Sequence, residues 1–187
     1  MAETEQLFKD RNRVAEGYKD KSVFISGGTG FVGKVLVEKI LRTCPDVKNI
    51  YLLIRSKKGK HPQDRLKDVF YSALFDLLKK TCGEARLNKV VAVSGDVMEE
   101  NLGLSTEDRK KLINEVEIIY HLAATIRFDD PLKKAVLLNV RGTKFMLDLA
   151  KECKKLIVSL CTVFQMLKTL FFNSLCTKTR FIKRICQ

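Results

Sequence analysis

"SGGTGFVGK", residues 26–34, places four glycines in nine positions, at the end of the apolar run "KSVFISG" (21–27). So bare a turn serves backbone geometry. Without Cβ atoms the chain reverses sharply, and its main chain can lie close against a ligand or another segment. Gly28, Gly30 and Gly33 fit Gly-x-Gly-x-x-Gly, while Gly27, Gly30 and Gly33 give Gly-x-x-Gly-x-x-Gly. Either spacing alone also fits a flexible loop, so the flanks decide. Before the turn stands a buried-strand pattern; after it, Phe31 to Arg42 carries Val32, Val35, Leu36 and Ile40 on one expected helix face. A glycine turn in that context is a dinucleotide fingerprint, with a pyrophosphate held at the helix N-terminus.

The same alternation continues down the chain. Strands are expected at 49–55, 89–96 and 117–124. Between the first two of these, Leu66, Val69, Phe70, Ala73, Leu74, Leu77 and Leu78 recur at helical spacing and predict one helix. Asp130-Pro131 predicts an N-cap and first helical position. A long helix follows, with Leu132, Val136, Val140, Thr143, Met146, Leu147 and Ala150 as one apolar stripe. Strands alternating with helices define an α/β protein, a doubly wound parallel Rossmann sheet flanked by helices and truncated near strand five. The expected organisation is a polar segment over 1–20, an incomplete NADP-binding domain over 21–155, and a divergent tail over 156–187.

The tail changes character abruptly. From Leu156 to Gln187 the chain has no Gly, Pro, Ala, Asp or Glu, five basic residues, and three of its six cysteines. The chain as a whole carries a net charge of +13. Upstream of the tail the basic residues alternate with acidic ones, which reads as solvated helix faces and not as a nucleic-acid groove. No apolar leader precedes the domain, and no C-x-x-C pair or His/Cys cluster points to zinc or a disulfide framework, so the expected setting is reduced and intracellular.

The end of the second strand selects the nucleotide. Chains that bind NAD place an Asp or Glu there for the ribose hydroxyls. This one has Arg55, Lys57, Lys58 and Lys60, a cationic cluster suited to the 2′-phosphate of NADPH, or else a solvated basic loop. Gly95-Asp96-Val97 closes the third strand, where a carboxylate either accepts the adenine amino group or caps a turn. His121 precedes Ala123 and Ala124 at the end of strand four, where small side chains would let a cofactor lie against the backbone. The histidine itself reads as structural. Asn139 falls on the apolar stripe of the long helix, so its amide needs partners, and a tie to the neighbouring strand backbone is the simplest account.

Together these residues resemble the extended short-chain dehydrogenase/reductase superfamily and, more narrowly, the alcohol-forming fatty acyl-CoA reductases of animals. The resemblance runs from about Phe8 to Leu156. It rests on "FISGGTGFVGKVLVEKILR", "IYLLIRSKKGK", "RLKDVFYSALFDLLKK", "SGDVMEENLGLS" and "IIYHLAATIRFDDPLKKAVLLNVRGTKFMLDLAKECKKL". It implies NADPH as cofactor, and reduction of a long-chain fatty acyl-CoA to a primary alcohol at a peroxisomal or endoplasmic reticulum membrane. It also implies a cofactor-binding set of Gly27, Thr29, Gly30, Phe31, Val32, Gly33, Arg55, Lys58, Asp96, Val97, Ala123, Ala124 and Asn139. Within that set the glycines meet the pyrophosphate, Arg55 the 2′-phosphate and Asp96 the adenine.

The chemistry of that superfamily uses Tyr-x-x-x-Lys, with the tyrosine as general acid for the carbonyl oxygen. Four residues beyond Tyr18, Tyr51, Tyr71 and Tyr120 stand Ser22, Arg55, Phe75 and Ala124, so the pair is absent and no catalytic residue is assigned. No metal ligand is assigned either. Two readings follow: the catalytically silent N-terminal part of a reductase, or a regulatory or scaffold fragment that still binds NADPH or a partner. A third makes residues 156–175 a membrane anchor, against which Gln165 and Lys168 count. A sheet that stops near strand five would also leave an uncovered edge, so the chain alone is expected to aggregate.

Overall fold

A computed structural model of the chain describes residues 13–57, 59–125 and 129–161. Lys58 and residues 162–187, which include most of the stretch read as an anchor, lie outside the described residues. Among the described residues, no helix is long and apolar enough to cross a membrane.

The strands are β1 (Ser22–Ser26), β2 (Asn49–Ile54), β3 (Val90–Ser94), β4 (Ile118–His121) and β5 (Val158–Cys161). All pair in parallel, in the order β3-β2-β1-β4-β5, the arrangement of a doubly wound dinucleotide-binding sheet. Strand period 2 divides the core. Val23, Ile25, Ile50, Leu52 and Ile54 point to one face. Phe24, Tyr51, Leu53, Val93 and Ile119 point to the other. Both faces being covered explains why these strands read as continuous apolar runs.

The first face is closed by α2 (Phe31–Thr43), α3 (Pro62–Phe70) and α4 (Asp76–Cys82), through Val37, Ile40, Leu41, Leu66, Val69 and Leu78. The opposite face is closed by α5 (Thr106–Glu115) and α7 (Gly142–Glu152), through Leu112, Met146, Leu149 and Ala150. The short α1 (Arg13–Tyr18) packs Ala15 and Tyr18 against the first face, where the Tyr18 and Tyr120 hydroxyls meet. Helix α6 (Leu132–Ala135) passes through a π-helical stretch (Val136–Arg141) into α7.

Several local expectations need correction. The helix expected through Leu66 to Leu78 is broken: α3 ends at Phe70, and a 3-10 turn over Ala73–Phe75, capped by the Ser72 hydroxyl, leads into α4. Helix α5 carries "EDRKK" (107–111), part of the alternating charge read as solvated helix faces, and Ser105 accepts a hydrogen bond from the Asp108 amide in an ordinary N-cap. Asp130 is not a cap. Pro131 precedes the first helical residue, and the Asp130 carboxylate instead holds the Thr125 hydroxyl and the Lys134 ammonium. On α2 the buried side is Gly33, Val37, Ile40 and Leu41, while Val32 and Val35 are exposed. On the long helix Thr143, Met146 and Ala150 are buried, but Leu132, Val136, Val140 and Leu147 are exposed.

The turn after β1 shows why its glycines are needed. Gly27 has φ +76°, and a Cβ there would sit 2.7 Å from the Ala123 nitrogen. At Gly33 a Cβ would sit 2.3 Å from the Gly27 oxygen and 2.6 Å from the Gly28 Cα. Every one of these neighbours is backbone, so no side-chain rotation relieves the clash. Gly33→Ala is therefore expected to destabilise the fold by about 1–3 kcal/mol, the range for overpacking. Thermal unfolding checks this. A melting temperature equal to the parent chain's would mean that α2 does not need the close approach.

Candidate nucleotide-binding site

The turn lies where the strand order reverses, between β1 and β4, and opens into the N-terminus of α2. Ligands of open α/β sheets bind at this point, beyond the carboxyl ends of the strands. Gly30 occupies the N-cap position of α2 and no side chain caps it, so the amides of the first turn and the positive end of the helix face outward. Thr29 is half-buried; Phe31 and Val32 beside it are 82% and 59% exposed, unusual for apolar side chains at a helix start. Ala123 and Ala124 leave β4 alongside, with the Ala123 backbone packed against Gly27. The cradle is built of main chain and small side chains.

At the exit of β2 the structure adds something the local sequence does not show. Arg55 reaches Asp96, carried in from β3, at 3.5 Å. The cationic cluster therefore has a carboxylate after all, supplied across the sheet and not along the chain. The other Asp96 oxygen accepts the Met98 amide at 3.0 Å. Arg65, on α3, donates to the Arg55 carbonyl and adds a second guanidinium to this end of the site. Sequence reasoning passed over it; the signal was a cation in the first turns of the helix after β2. Lys57 and Lys60 bridge each other through their backbones, and the Lys60 ammonium pairs with Asp68 at 2.8 Å. Val97 is buried in the second core, its carbonyl packed against Gly142.

Beneath the cradle runs a chain of polar contacts. The Ala123 amide donates to Ser26 Oγ at 3.4 Å, and Ser26 Oγ lies 2.6 Å from His121 Nδ1. His121 Nε2 lies 3.2 Å from Thr143 Oγ1, whose hydroxyl donates to the Asn139 carbonyl at 2.7 Å. This pattern assigns a neutral imidazole protonated on Nε2. Asn139 then closes the network: its Oδ1 accepts the Thr125 amide and its Nδ2 donates to the Thr125 carbonyl, both at 2.9 Å. The asparagine is half-buried and sits inside the π-helical stretch. Its tie is to the segment beyond β4, not to a strand. Ser26 and Thr143, polar residues within apolar runs, were the legible signs of this network.

Fold and cradle together define a nicotinamide-dinucleotide-binding domain of the Rossmann class. The pattern of the NAD-binding family described as male sterility protein matches residues 25–174, and the chain belongs to that family, one of oxidoreductases. It is 42% identical over 143 residues to human fatty acyl-CoA reductase 1, covering 76% of this chain and 28% of that protein. To fatty acyl-CoA reductase wat of Drosophila melanogaster it is 43% identical over 158 residues, 83% of this chain and 30% of the relative. The chain thus spans less than a third of the length of these curated relatives. Among solved structures, the terminal R domain from the myxalamid PKS-NRPS biosynthetic pathway superposes with a TM-score of 0.61 at 30% identity, over 76% of this chain and 34% of that one.

His121 gives the network a measurable signature. Burial pushes its pKa from 6.5 down to about 4. Between those values the unfolded chain binds a proton that the folded chain refuses. The stabilisation is therefore complete above pH 6.5 and is lost as the pH falls toward 4, by about 3 kcal/mol in all. Denaturant unfolding at about pH 7 and about pH 5 should show a steeper acid loss in the parent chain than in His121→Gln. Equal losses in the two would contradict a buried neutral imidazole.

Proposed function

We propose that this chain binds NADPH as the cofactor-holding part of an alcohol-forming fatty acyl-CoA reductase, an enzyme that reduces a long-chain fatty acyl-CoA to a primary alcohol. The observation that carries the reading is the bare main-chain cradle at Gly27–Gly33, opening into an uncapped helix at the sheet's switch point. Bound there, NADPH supplies the hydride. Gly27, Gly30 and Gly33, with Thr29, hold the pyrophosphate against the positive end of α2. Phe31 and Val32, with Ala123 and Ala124, give it an apolar border. Arg55, with Lys58 and Arg65, takes the 2′-phosphate, for which a planar guanidinium is the best side-chain partner. Asp96 accepts the adenine amino group, and Val97 borders it. Asn139 holds the backbone at Thr125 and so fixes the path of the chain past the nicotinamide end.

The substrate belongs to this reading through the relatives' names, and the membrane at which it is met, peroxisomal or endoplasmic reticulum, through the sequence resemblance alone. One observation favours a second reading of the chain taken alone: no tyrosine in it is followed four residues later by lysine. On that ground the chain is a non-catalytic NADPH-binding unit, and binding and turnover should separate. Incubation with NADPH and a long-chain acyl-CoA is expected to give saturable binding and no alcohol. Alcohol formed by the purified chain would overturn the second reading.

Cofactor choice is tested by fluorescence titration in dilute solution. NADPH should bind more tightly than NADH, and Arg55→Ala should weaken NADPH by about tenfold, roughly one charge-assisted contact, while leaving NADH nearly unchanged. Equal affinity for both dinucleotides would remove the 2′-phosphate role of Arg55. No saturable response to either would remove the cofactor reading itself.

A further inference from the structure

The segment after β3 contains the most strained backbone among the described residues. Asn101, Leu102 and Gly103 lie consecutively in the left-handed region, with φ +51°, +64° and +59°. Asn tolerates this conformation and Gly favours it, but for a bulky Leu it is an outlier. Yet Leu102 is fully buried, packed in the second core with Leu53, Val93 and Val97. A buried anchor holding a strained turn means that the turn's shape is specified, and strain of this kind clusters at functional positions.

The strained turn acts on the rim of the nucleotide site. The carbonyl of Leu102 accepts the Asp96 amide at 2.9 Å. The ring of contacts closes through Glu99, whose amide donates to the Asp96 carbonyl at 3.0 Å, and through the Leu102 amide, which donates to the Glu99 carbonyl at 3.1 Å. The fit leaves no slack. A Cβ on Gly95 would sit 2.4 Å from the Leu102 oxygen, and one on Gly103 would sit 3.3 Å from the Asp96 nitrogen. Gly95 is fixed from the other side, its amide donating to the Ile54 carbonyl at 3.3 Å. The backbone of residues 95–96 is therefore clamped between β2 and the left-handed turn. From that clamped position the Asp96 side chain reaches Arg55 with one oxygen and the Met98 amide with the other.

We propose that the left-handed turn Asn101-Leu102-Gly103 is a positioning element that sets the Asp96 carboxylate at the adenine end of the nucleotide site. Leu102 and Gly103 touch no cofactor in this account; they act through the Asp96 backbone. The inference rests on the reading of Asp96 as a cofactor contact. A carboxylate on an unclamped loop would share its time among Arg55, the Met98 amide and water. Held by the turn, it presents a fixed acceptor beside a fixed guanidinium, which is what recognition of an adenosine 2′-phosphate requires.

The test compares two positive-φ glycines in the full chain. Gly103→Ala adds a methyl at the Asp96 nitrogen. Gly83→Ala adds one at φ +79°, at the far end of β3 after α4, where nothing lies within 4 Å. The probes are NADPH and adenosine 2′,5′-bisphosphate. Gly103→Ala should weaken both by about tenfold, about one charged hydrogen bond, while Gly83→Ala leaves both within about twofold. In an Asp96→Asn background, Gly103→Ala should cause no further loss, because the turn acts through that carboxylate. Should Gly103→Ala fail to fold, Asn101→Gly loosens the same turn without adding an atom, and a weakening of about two- to threefold is expected. Unchanged affinity in the turn variants, equal losses at Gly103 and Gly83, or losses that multiply with Asp96→Asn would each overturn the inference. Absence of binding by the unsubstituted chain would instead overturn the cofactor reading, and the turn's role in binding with it.

Discussion

The contact on which the rest of this structure depends is main chain against main chain at Gly27. Its carbonyl lies where a side chain on Gly33 would have to be, and its own missing Cβ is replaced by the Ala123 backbone. Three segments that are distant in sequence, the end of β1, the first turn of α2 and the exit of β4, are thus drawn to van der Waals contact. That approach fixes the angle at which α2 leaves the sheet, and with it which residues face the core: Val37, Ile40 and Leu41 inward, Phe31 and Val32 outward. It also places the positive end of α2 at the point where the strand order reverses. A methyl group at either glycine would push the helix off the sheet, so cofactor site and fold share one steric requirement.

The polar contacts below the turn secure the same junction by other means. Ser26 ends β1, His121 ends β4, Thr143 and Asn139 belong to the long helix, and the hydrogen bonds among them tie all three. Buried polar groups are tolerable only when partnered, so each residue of the network needs the next. The π-helical stretch at Val136–Arg141 is part of this arrangement. It contains the carbonyl that Thr143 bonds and the side chain that grips Thr125. Such stretches are uncommon and recur at functional sites.

The sequence made some of this legible and hid the rest, for physical reasons. Strands buried on both faces are unbroken apolar runs, and the glycine spacing between strand and helix has few other uses, so the sheet, its first turn and the family could be read directly. The stripe on the long helix misled because a single period was assumed. Bonds from i to i+5 add a residue to a turn, so Leu132, Val136 and Val140 fall out of phase with Thr143, Met146 and Ala150. The break between α3 and α4 is hidden because Ala73 and Leu74 keep helical spacing with Val69 and Phe70, while Ser72 turns extended and caps the 3-10 turn with its hydroxyl. The meeting of Arg55 with Asp96 could not be read along the chain at all. It follows from β2 and β3 being neighbours, whose register pairs Ile54 with Ser94 just before the two residues.

That register also explains how charge is handled at the nucleotide end. An arginine at the exit of one strand and an aspartate at the exit of the next form an ion pair across parallel neighbours. Arg55 is about half exposed and Asp96 much less so, and a partly exposed pair of this kind contributes little stability by itself. Its value is directional: each side chain stops the other from swinging into solvent. The cradle, the guanidinium and the carboxylate all come from β1 to β4 and the loops that leave them. Apart from Lys58, the residues proposed to bind the cofactor lie within the described fold, whereas Tyr-x-x-x-Lys is nowhere in the sequence.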